Sequence, residues 1–219
     1  MLDMVLPPRC AGCGQVGSRW CSACIEKCVL VDDNVCSLCG KPKLVQGRVH
    51  QCARKYYLED AYAWGKYQDP LRKAIKRLKY SRDIGLGDAL AQHLVWLTER
   101  NKIGAEMVIP VPLGKKRHKE RGYNQAALLA RSLALVCGLP IQTSALARTR
   151  ETASQVGLSL EERRLNVAGA FTADAGKVKG KRVLLVDDVL TTGATLEAAA
   201  EALRMAGTRK IEAVVVARA

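Results

Sequence analysis

Two adjacent carboxylates, Asp187 and Asp188, follow a short apolar run and precede a turn of small residues. The apolar residues 183–186 predict a buried parallel strand. Residues 191–195 form the turn, and the helical pattern behind it ends at Gly207. A helix N-terminus suits a phosphate because it offers free N–H groups and the positive end of a dipole. Two neighbouring carboxylates can accept hydrogen bonds from a sugar diol, so the segment predicts a ribose 5-phosphate site.

The same segment resembles the phosphoribosyl-pyrophosphate (PRPP) signature of type I phosphoribosyltransferases, with four apolar residues, two acids and a Thr-Thr-Gly-x-Thr loop. By this resemblance, Asp187 and Asp188 are the catalytic acids and hold the ribose 2′- and 3′-hydroxyls. The residues expected to hold the 5′-phosphate are Thr191, Thr192, Gly193, Ala194 and Thr195. The chain has neither G-x-G-x-x-G after a strand nor G-K-[ST], which excludes the Rossmann and P-loop readings. An ordinary strand–turn–helix with surface acids is the remaining alternative.

A strongly basic segment follows the apolar residues 107–112, which predict a short strand ended by proline. Residues 114–121 carry five Lys or Arg residues against one Glu. In type I transferases, a loop after an early strand grips pyrophosphate, and magnesium bridges its oxygens. By that resemblance, the pyrophosphate-binding residues are Lys115, Lys116, Arg117 and Arg121. A solvated basic turn is the alternative. Asn124 is expected to cap a helix that ends at Cys137.

Residues 148–157 form a polar stretch that resembles the mobile flap of this fold, which closes over the ligand. An ordinary surface connection is an equal alternative. The candidate flap residues are Arg148, Arg150 and Gln155.

Residues 71–82 contain six basic side chains and no acid. Apolar residues recur among them at helical spacing, so the bases form a stripe opposite an apolar face. Basic side chains can bind the phosphate backbone of DNA, and the ring of Tyr80 can stack on a base. The segment therefore predicts contact with single-stranded DNA. The candidate DNA-binding residues are Arg72, Lys73, Lys76, Arg77, Lys79 and Tyr80. A solvated basic helix face is the alternative.

Eight of the nine cysteines precede residue 53, and six of them form C-x-x-C pairs. In a reducing compartment, repeated C-x-x-C pairs indicate structural zinc rather than disulfides. The first predicted site consists of Cys10, Cys13, Cys21 and Cys24. The second consists of Cys36, Cys39, Cys52 and, as the fourth ligand, His50. A site shared by the first and third pairs is the alternative, and Cys28 is not expected to be a ligand.

The 219-residue chain has room for one core domain and a small appendage. A net charge of +14 and a pI near 9.6 predict a polyanionic partner, either nucleic acid, a pyrophosphate-bearing ligand or both. Solubility alone is the alternative explanation of the charge. Residues 1–8 do not form a signal-peptide pattern, and no apolar run has the length of a membrane span. A cytoplasmic protein is therefore expected.

Nearly the whole chain resembles the ComF family, which includes ComFC of DNA uptake and GntX-like proteins. In addition to the cysteine pairs and the PRPP signature, the resemblance rests on L-K-Y at 78–80, V-P-L-G-K-K-R-H-K-E-R-G-Y-N-Q at 111–125 and R-T-R-E-T-A-S-Q at 148–155. Relatives usually close the second zinc site with another C-x-x-C, whereas Cys52 precedes Ala-Arg-Lys here. This departure makes His50 the candidate that completes the site.

The resemblance implies a zinc-ribbon domain at residues 1–56 and a phosphoribosyltransferase-like domain at 57–219. The second domain is expected to be α/β, with a mainly parallel sheet flanked by helices and ligand at the carboxyl ends of the strands. The predicted strands include residues 61–67, 107–111, 182–186 and 211–217.

Two functions are compatible with these features. In the first, the chain is an enzyme that transfers the ribosyl group of PRPP with magnesium, to an acceptor that the sequence does not encode visibly. In the second, it is a DNA-uptake protein that contacts incoming single strands and other uptake proteins, and PRPP is a regulatory ligand or a relic. The ComF resemblance favours the second for the biological role, whereas the intact acid pair favours the first.

Overall fold

The computed structural model of the protein describes residues 7–32, 34–45, 48–50, 57–150, 162 and 166–219. The described helices are α1 (Ser22–Glu26), α2 (Leu71–Tyr80), α3 (Leu86–Arg100), α4 (Lys115–Arg121), α5 (Gln125–Cys137), α6 (Ala175–Val178) and α7 (Ala194–Met205). The described strands are β1 (Leu44–Val45), β2 (Arg48–Val49), β3 (Asp60–Lys66), β4 (Met107–Pro110), β5 (Leu146–Arg148), β6 (Phe171–Ala173), β7 (Arg182–Leu190) and β8 (Lys210–Arg218).

A four-stranded parallel sheet forms the centre of the molecule, in the order β3–β8–β7–β4. Helices α2, α3 and α5 contribute to the apolar cluster on one face. Helix α7 and the antiparallel pair β5–β6 contribute to the cluster on the other face. Both faces of the sheet are covered, so the interior strand β8 is buried from Ile211 to Ala217. Within this stretch, Glu212 is the one residue that is not apolar. The predicted α/β class with a parallel sheet flanked by helices is confirmed.

Strand β7 is longer than the sequence indicated. The prediction ended it at Val186, whereas pairing with β8 continues to the partners Leu190 and Arg218. Strand β4 stops earlier, at the pair Pro110–Val186. The acid pair therefore lies inside β7, on a stretch that is paired with β8 on one side and extends past the end of β4 on the other.

Two helices follow their sequence signals closely. The four apolar residues of α2 that recur at helical spacing are completely buried: Leu71, Ala74, Ile75 and Leu78. The Asn124 side chain accepts a hydrogen bond from the Ala126 N–H at 3.0 Å and so caps α5. Gly138 takes a left-handed conformation with φ of 64°, which ends α5 after Cys137.

The cysteine-rich region packs directly on the sheet domain. The Trp20 indole donates a hydrogen bond to Nε2 of His93 in α3 at 2.9 Å. The His93 ring stacks on Trp64 of β3, with ring centroids 3.6 Å apart. The Arg19 guanidinium pairs with Asp83, just after α2, at 3.1 Å. Residues on both sides of the predicted boundary at 56 therefore share one apolar core.

The partners of His93 give this helix residue a specific role. Burial lowers the pKa of His93 from 6.5 to about 4, so the folded protein holds this ring neutral. The neutral ring can accept the Trp20 N–H, whereas a protonated ring cannot. The sequence did not reveal this contact because its three members lie far apart along the chain.

We predict that stability falls as the pH drops from about 6.5 to about 4, because the unfolded chain binds a proton at His93 that the folded chain excludes. The pKa difference corresponds to at most about 3 kcal/mol. Chemical denaturation of His93→Phe should show a lower free energy of unfolding at pH 7 and a shallower loss across this range. Wild type and variant contain the same cysteines, so protonation of these thiols at low pH affects both proteins equally and cancels in the comparison. An exposed-site control, His118→Phe, should keep the wild-type pH slope, and an unchanged slope in His93→Phe would contradict the prediction.

Candidate functional site

The Asp188 carboxylate is the most constrained polar group near the end of β7. Its residue is 3% exposed, and the Nζ atom of Lys79, in the last turn of α2, lies 2.8 Å from its Oδ1. Burial acts to lower the pKa of Lys79, but Asp188 and then Asp187 raise it above its ordinary value. The second oxygen of Asp188, Oδ2, is buried without a hydrogen-bond partner among the described residues. Such an atom is expected where a ligand or an ordered water completes a site.

Asp187 has a different environment from its neighbour. Its carboxylate accepts the N–H of Asp188 at 2.8 Å. Burial and the charge of Asp188 raise the pKa of Asp187 to about 7, although Lys79 and Arg148 act in the opposite direction. Consecutive side chains of a strand point to opposite faces of the sheet. Asp188 therefore points to the face that α2 covers, where Lys79 pairs with it, and Asp187 points to the other face. The acid pair thus combines one ion-paired carboxylate with one that titrates near neutral pH.

The predicted phosphate loop follows the acids directly. Gly193 has φ of 77°, a conformation that glycine adopts without strain. Helix α7 begins at the next residue, and the Glu197 N–H donates to the Gly193 carbonyl at 2.9 Å. The Thr192 hydroxyl lies 3.4 Å from the Ala194 nitrogen, and Thr191 is exposed. The turn therefore leads into the N-terminus of a twelve-residue helix, the arrangement that favours a phosphate.

The basic segment after β4 is a helix, α4, and not the predicted loop. Lysine, arginine and glutamate are good helix formers, and Gly122 ends the helix with φ of 81°. Positions four apart share one side of a helix, so Arg117 and Arg121 are both half-buried, whereas Lys115 and Lys116 are exposed. The helix thus separates the four predicted pyrophosphate-binding residues into two groups.

A small cavity lies between the end of α2 and α4. Its volume is about 120 Å³, and its lining residues are Lys79, Tyr80, Arg82, Arg117, Glu120 and Arg121. The Arg121 guanidinium lies 5.2 Å from the centroid of the Tyr80 ring. Two residues predicted to contact DNA therefore share a cavity with two predicted to contact pyrophosphate, which linear spacing had not indicated.

The basic face of α2 is partly neutralised by acids outside residues 71–82. Asp69 pairs with Arg72 at 2.8 Å and with Lys73 at 3.7 Å. Asp83 pairs with Arg77 at 2.8 Å. These arginines and the lysine keep a third or more of their side-chain surface exposed. Lys79 differs from the others because its ammonium group faces Asp188 and not the open surface.

Two of the three predicted flap residues lie in described structure. Arg148 ends strand β5, and its guanidinium lies 5.4 Å from the centroid of the Phe171 ring in β6. Arg150 donates hydrogen bonds to the carbonyls of Asn166 and Ala168 at 3.1 Å and 2.6 Å. Gln155 lies outside the described residues, so the flap remains a prediction.

The cysteines form two clusters in the described structure. The first contains Cys10, Cys13, Cys21 and Cys24, and the second contains Cys36, Cys39 and His50; within each, the ligand atoms lie within 4.8 Å of one another. The sulfurs of Cys13 and Cys21 are 3.7 Å apart. A tetrahedral zinc with bonds of about 2.3 Å separates two thiolates by about 3.8 Å, so the first cluster fits zinc.

The second cluster has the ligand types of a zinc site as well. His50 Nε2 lies 3.0 Å from the sulfur of Cys39. The predicted ligand Cys52 lies outside the described residues. Cys28 is in neither cluster, and its thiol donates to the Cys24 carbonyl at 3.3 Å. The alternative site shared by the first and third C-x-x-C pairs does not occur in this arrangement.

Comparison with known proteins identifies a domain family in each half of the chain. A double zinc ribbon domain family matches residues 1–55, and a phosphoribosyl transferase domain family matches residues 119–219. The chain is 37% identical to competence protein F of Haemophilus influenzae over 71% of each sequence. It is 33% identical to the DNA utilization protein YhgH of Escherichia coli O157:H7, covering 88% of this chain and 87% of that protein.

Two further comparisons are more distant. Competence protein ComFC of Bacillus subtilis is 27% identical over 84% of this chain and 77% of its own length. Among solved structures, the glutamine PRPP amidotransferase from B. subtilis is similar with a TM-score of 0.46 and 23% identity, over 65% of this chain and 30% of that chain. No helix within the described ranges is long and apolar enough to cross a membrane.

We predict that His50 contributes to the second zinc site. His50→Ala should lower the zinc content after dialysis against a mild chelator from about two ions per chain to about one, because losing one ligand weakens a four-coordinate site. Elemental analysis gives the stoichiometry. Cys28→Ser is the matched control and should keep the wild-type zinc content. Equal zinc content in His50→Ala and wild type would remove His50 from the ligand set.

We also predict that Lys79→Ala destabilises the protein by about 3 kcal/mol or more, since it leaves a buried carboxylate without its counter-charge. Lys76→Ala, on the same helix, is the control and should change the free energy of unfolding by less than about 1 kcal/mol. Adding Asp188→Asn to Lys79→Ala should restore much of the lost stability. Denaturant titration measures all four proteins, and equal losses for the two lysine variants would contradict the assignment.

Proposed function

This chain belongs to the ComF family, and on that premise we propose that it acts in DNA uptake as a protein that binds PRPP and contacts single-stranded DNA. The relatives named for competence and for DNA utilization support the role in DNA uptake. The match to a phosphoribosyl transferase domain supports a phosphoribosyl ligand. The zinc ribbon gives the protein structural zinc, which stabilises the cysteine-rich region against the sheet domain.

The observation that carries the ligand proposal is the buried, unpartnered oxygen Oδ2 of Asp188. It lies on the strand that leads into the Gly193 turn and the N-terminus of α7. A ribose hydroxyl donates the hydrogen bond that this oxygen lacks. The 5′-phosphate of the same ligand would be held by the N–H groups of the turn. Asp187 and Asp188 are therefore proposed to hold the diol, and residues 191–195 the phosphate.

The pyrophosphate of the ligand is assigned to helix α4. Arg117 and Arg121 are the half-buried basic residues of its inner side, and guanidinium groups bind phosphate oxygens in a fixed geometry. Lys115 and Lys116, at the exposed start of the helix, supply charge at a longer range. Magnesium bound with PRPP would neutralise part of the pyrophosphate charge.

The DNA contact is proposed for the exposed side of α2. The net charge of +14 favours a polyanionic partner. Arg72 and Lys73 can exchange their exposed acid partner, Asp69, for phosphates because surface ion pairs contribute little stability. Arg77 is one-third exposed, although its partner Asp83 is largely buried. Lys76 lies on the same exposed side, and Tyr80 presents a ring at the end of the helix.

Catalysis of ribosyl transfer is the second candidate function. The position of Asp187 next to the buried, charged Asp188 favours it, because burial and that neighbouring charge raise the pKa of Asp187, and a carboxyl with a raised pKa can exchange a proton with a substrate. Release of pyrophosphate from PRPP in the presence of trial nucleobases and amines distinguishes this function from binding alone.

Calorimetric titration of PRPP into the zinc-loaded protein, with and without magnesium, tests the proposal. We expect magnesium-dependent binding in the micromolar range, worth about 8 kcal/mol. The double variant Asp187→Asn with Asp188→Asn should lose measurable binding while its circular dichroism spectrum stays native. Asp174→Asn, an exposed acid that caps α6, is the matched control and should bind as wild type does. No saturable heat with wild-type protein would exclude PRPP as the ligand.

A further inference from the structure

The Tyr80 ring is strongly exposed to solvent at the end of helix α2. It is 72% exposed, although it directly follows Lys79, whose ammonium group reaches the buried acid pair. The guanidinium of Arg121 lies 5.2 Å from the ring centroid. Nucleobases stack on such exposed rings, and a neighbouring arginine adds a cation–π contribution. The ring therefore has the chemistry of a platform for one planar base.

The surroundings of this ring favour an anionic ligand. Arg82, Arg117 and Arg121 line the same cavity, against the single carboxylate of Glu120. Lys79 lines it too, with its ammonium group paired to Asp188. Arg82 is held with φ of 55°, in the left-handed region. A non-glycine residue in that conformation costs about 1 kcal/mol or more, and strained residues of this kind cluster at binding sites. A base on the ring and a phosphate on the arginines together describe one nucleotide.

The cavity shares residues with the proposed PRPP site. Arg117 and Arg121 line it, and the same two arginines are assigned above to the pyrophosphate. Lys79 lines it as well and forms the ion pair with Asp188 at 2.8 Å. Two phosphate-bearing ligands on the same two arginines would lie within one Debye length, about 8 Å at physiological ionic strength, so their charges would repel.

We infer that the cavity between α2 and α4 binds one nucleotide of a single DNA strand, and that PRPP and the strand exclude each other there. This inference rests on the proposed function and adds a regulatory relation to it. The base lies on Tyr80, and its phosphate takes the arginines that pyrophosphate would otherwise occupy. The concentration of PRPP thereby sets how much of the protein is available to DNA.

Fluorescence anisotropy of a labelled oligothymidylate with the full-length, zinc-loaded protein tests this relation. Titrations are repeated at increasing concentrations of PRPP with magnesium, at constant ionic strength. The apparent Kd for DNA should rise linearly with the PRPP concentration from its value without PRPP, as for a competitor. Magnesium pyrophosphate is a second probe and should compete in the same way, whereas sodium chloride at equal ionic strength should not reproduce the effect.

Tyr80→Ala should weaken oligothymidylate binding by about tenfold or more, the typical loss for one stacked base. Trp96→Ala is the matched control because Trp96 is 40% exposed and carries Arg100 at 4.7 Å from its ring, in a different cavity. This control should keep the wild-type Kd for DNA. A wild-type Kd in Tyr80→Ala would overturn the assignment of the base to this ring.

The outcomes separate the inference from the proposed function. If calorimetry shows PRPP binding, and the Kd for DNA does not change with PRPP, the inference is wrong and the proposed function stands. If calorimetry shows no PRPP binding, the proposed function fails and the inference fails with it. If DNA binds neither wild type nor the variants, the DNA part of both proposals is wrong.

Discussion

The ion pair between Lys79 and Asp188 joins the end of helix α2 to β7, one of the two interior strands of the sheet. A carboxylate buried in a parallel strand requires a counter-charge, since an isolated buried charge is strongly unfavourable. Helix α2 supplies that charge only if its last turn is held over the strand. The position of α2, and hence the shape of the site around the acid pair, therefore depends on everything that packs against this helix.

The cysteine-rich region is one of those supports. Arg19 and Arg77 bind opposite oxygens of Asp83, just beyond α2, and Trp20 reaches His93 in the next helix. About fifty residues cannot form a large core alone, so the clustered cysteines and the shared apolar core both hold this region in place. Within the described residues, the cysteine clusters are connected to the acid pair through this packing and these ion pairs.

The basic residues of α2 and α4 differ in how far they are buried and in what they contact. The exposed bases of α2 pair with exposed acids, a weak and exchangeable arrangement. The half-buried arginines of α4 instead line the cavity at the end of α2, whereas the Lys79 ammonium group pairs with the buried Asp188. In the proposed DNA contact, a polyanion approaches along the exposed face of α2 and reaches the Tyr80 ring and the arginines of α4 at the end of the helix.

The sequence alone was sufficient for the features set by local rules. Continuous apolar runs predicted the parallel strands, and helical spacing predicted the buried residues of α2. The expected cap at Asn124 and the expected end at Cys137 agree with α5. The C-x-x-C spacing predicted the first cysteine cluster. Only the tertiary structure decided that β7 continues past the acids, because its length depends on pairing with β8. It also decided that Lys79 faces Asp188 and that Trp20 meets His93. These contacts join segments distant along the chain, and linear spacing carries no information about which distant side chains a packed core brings together.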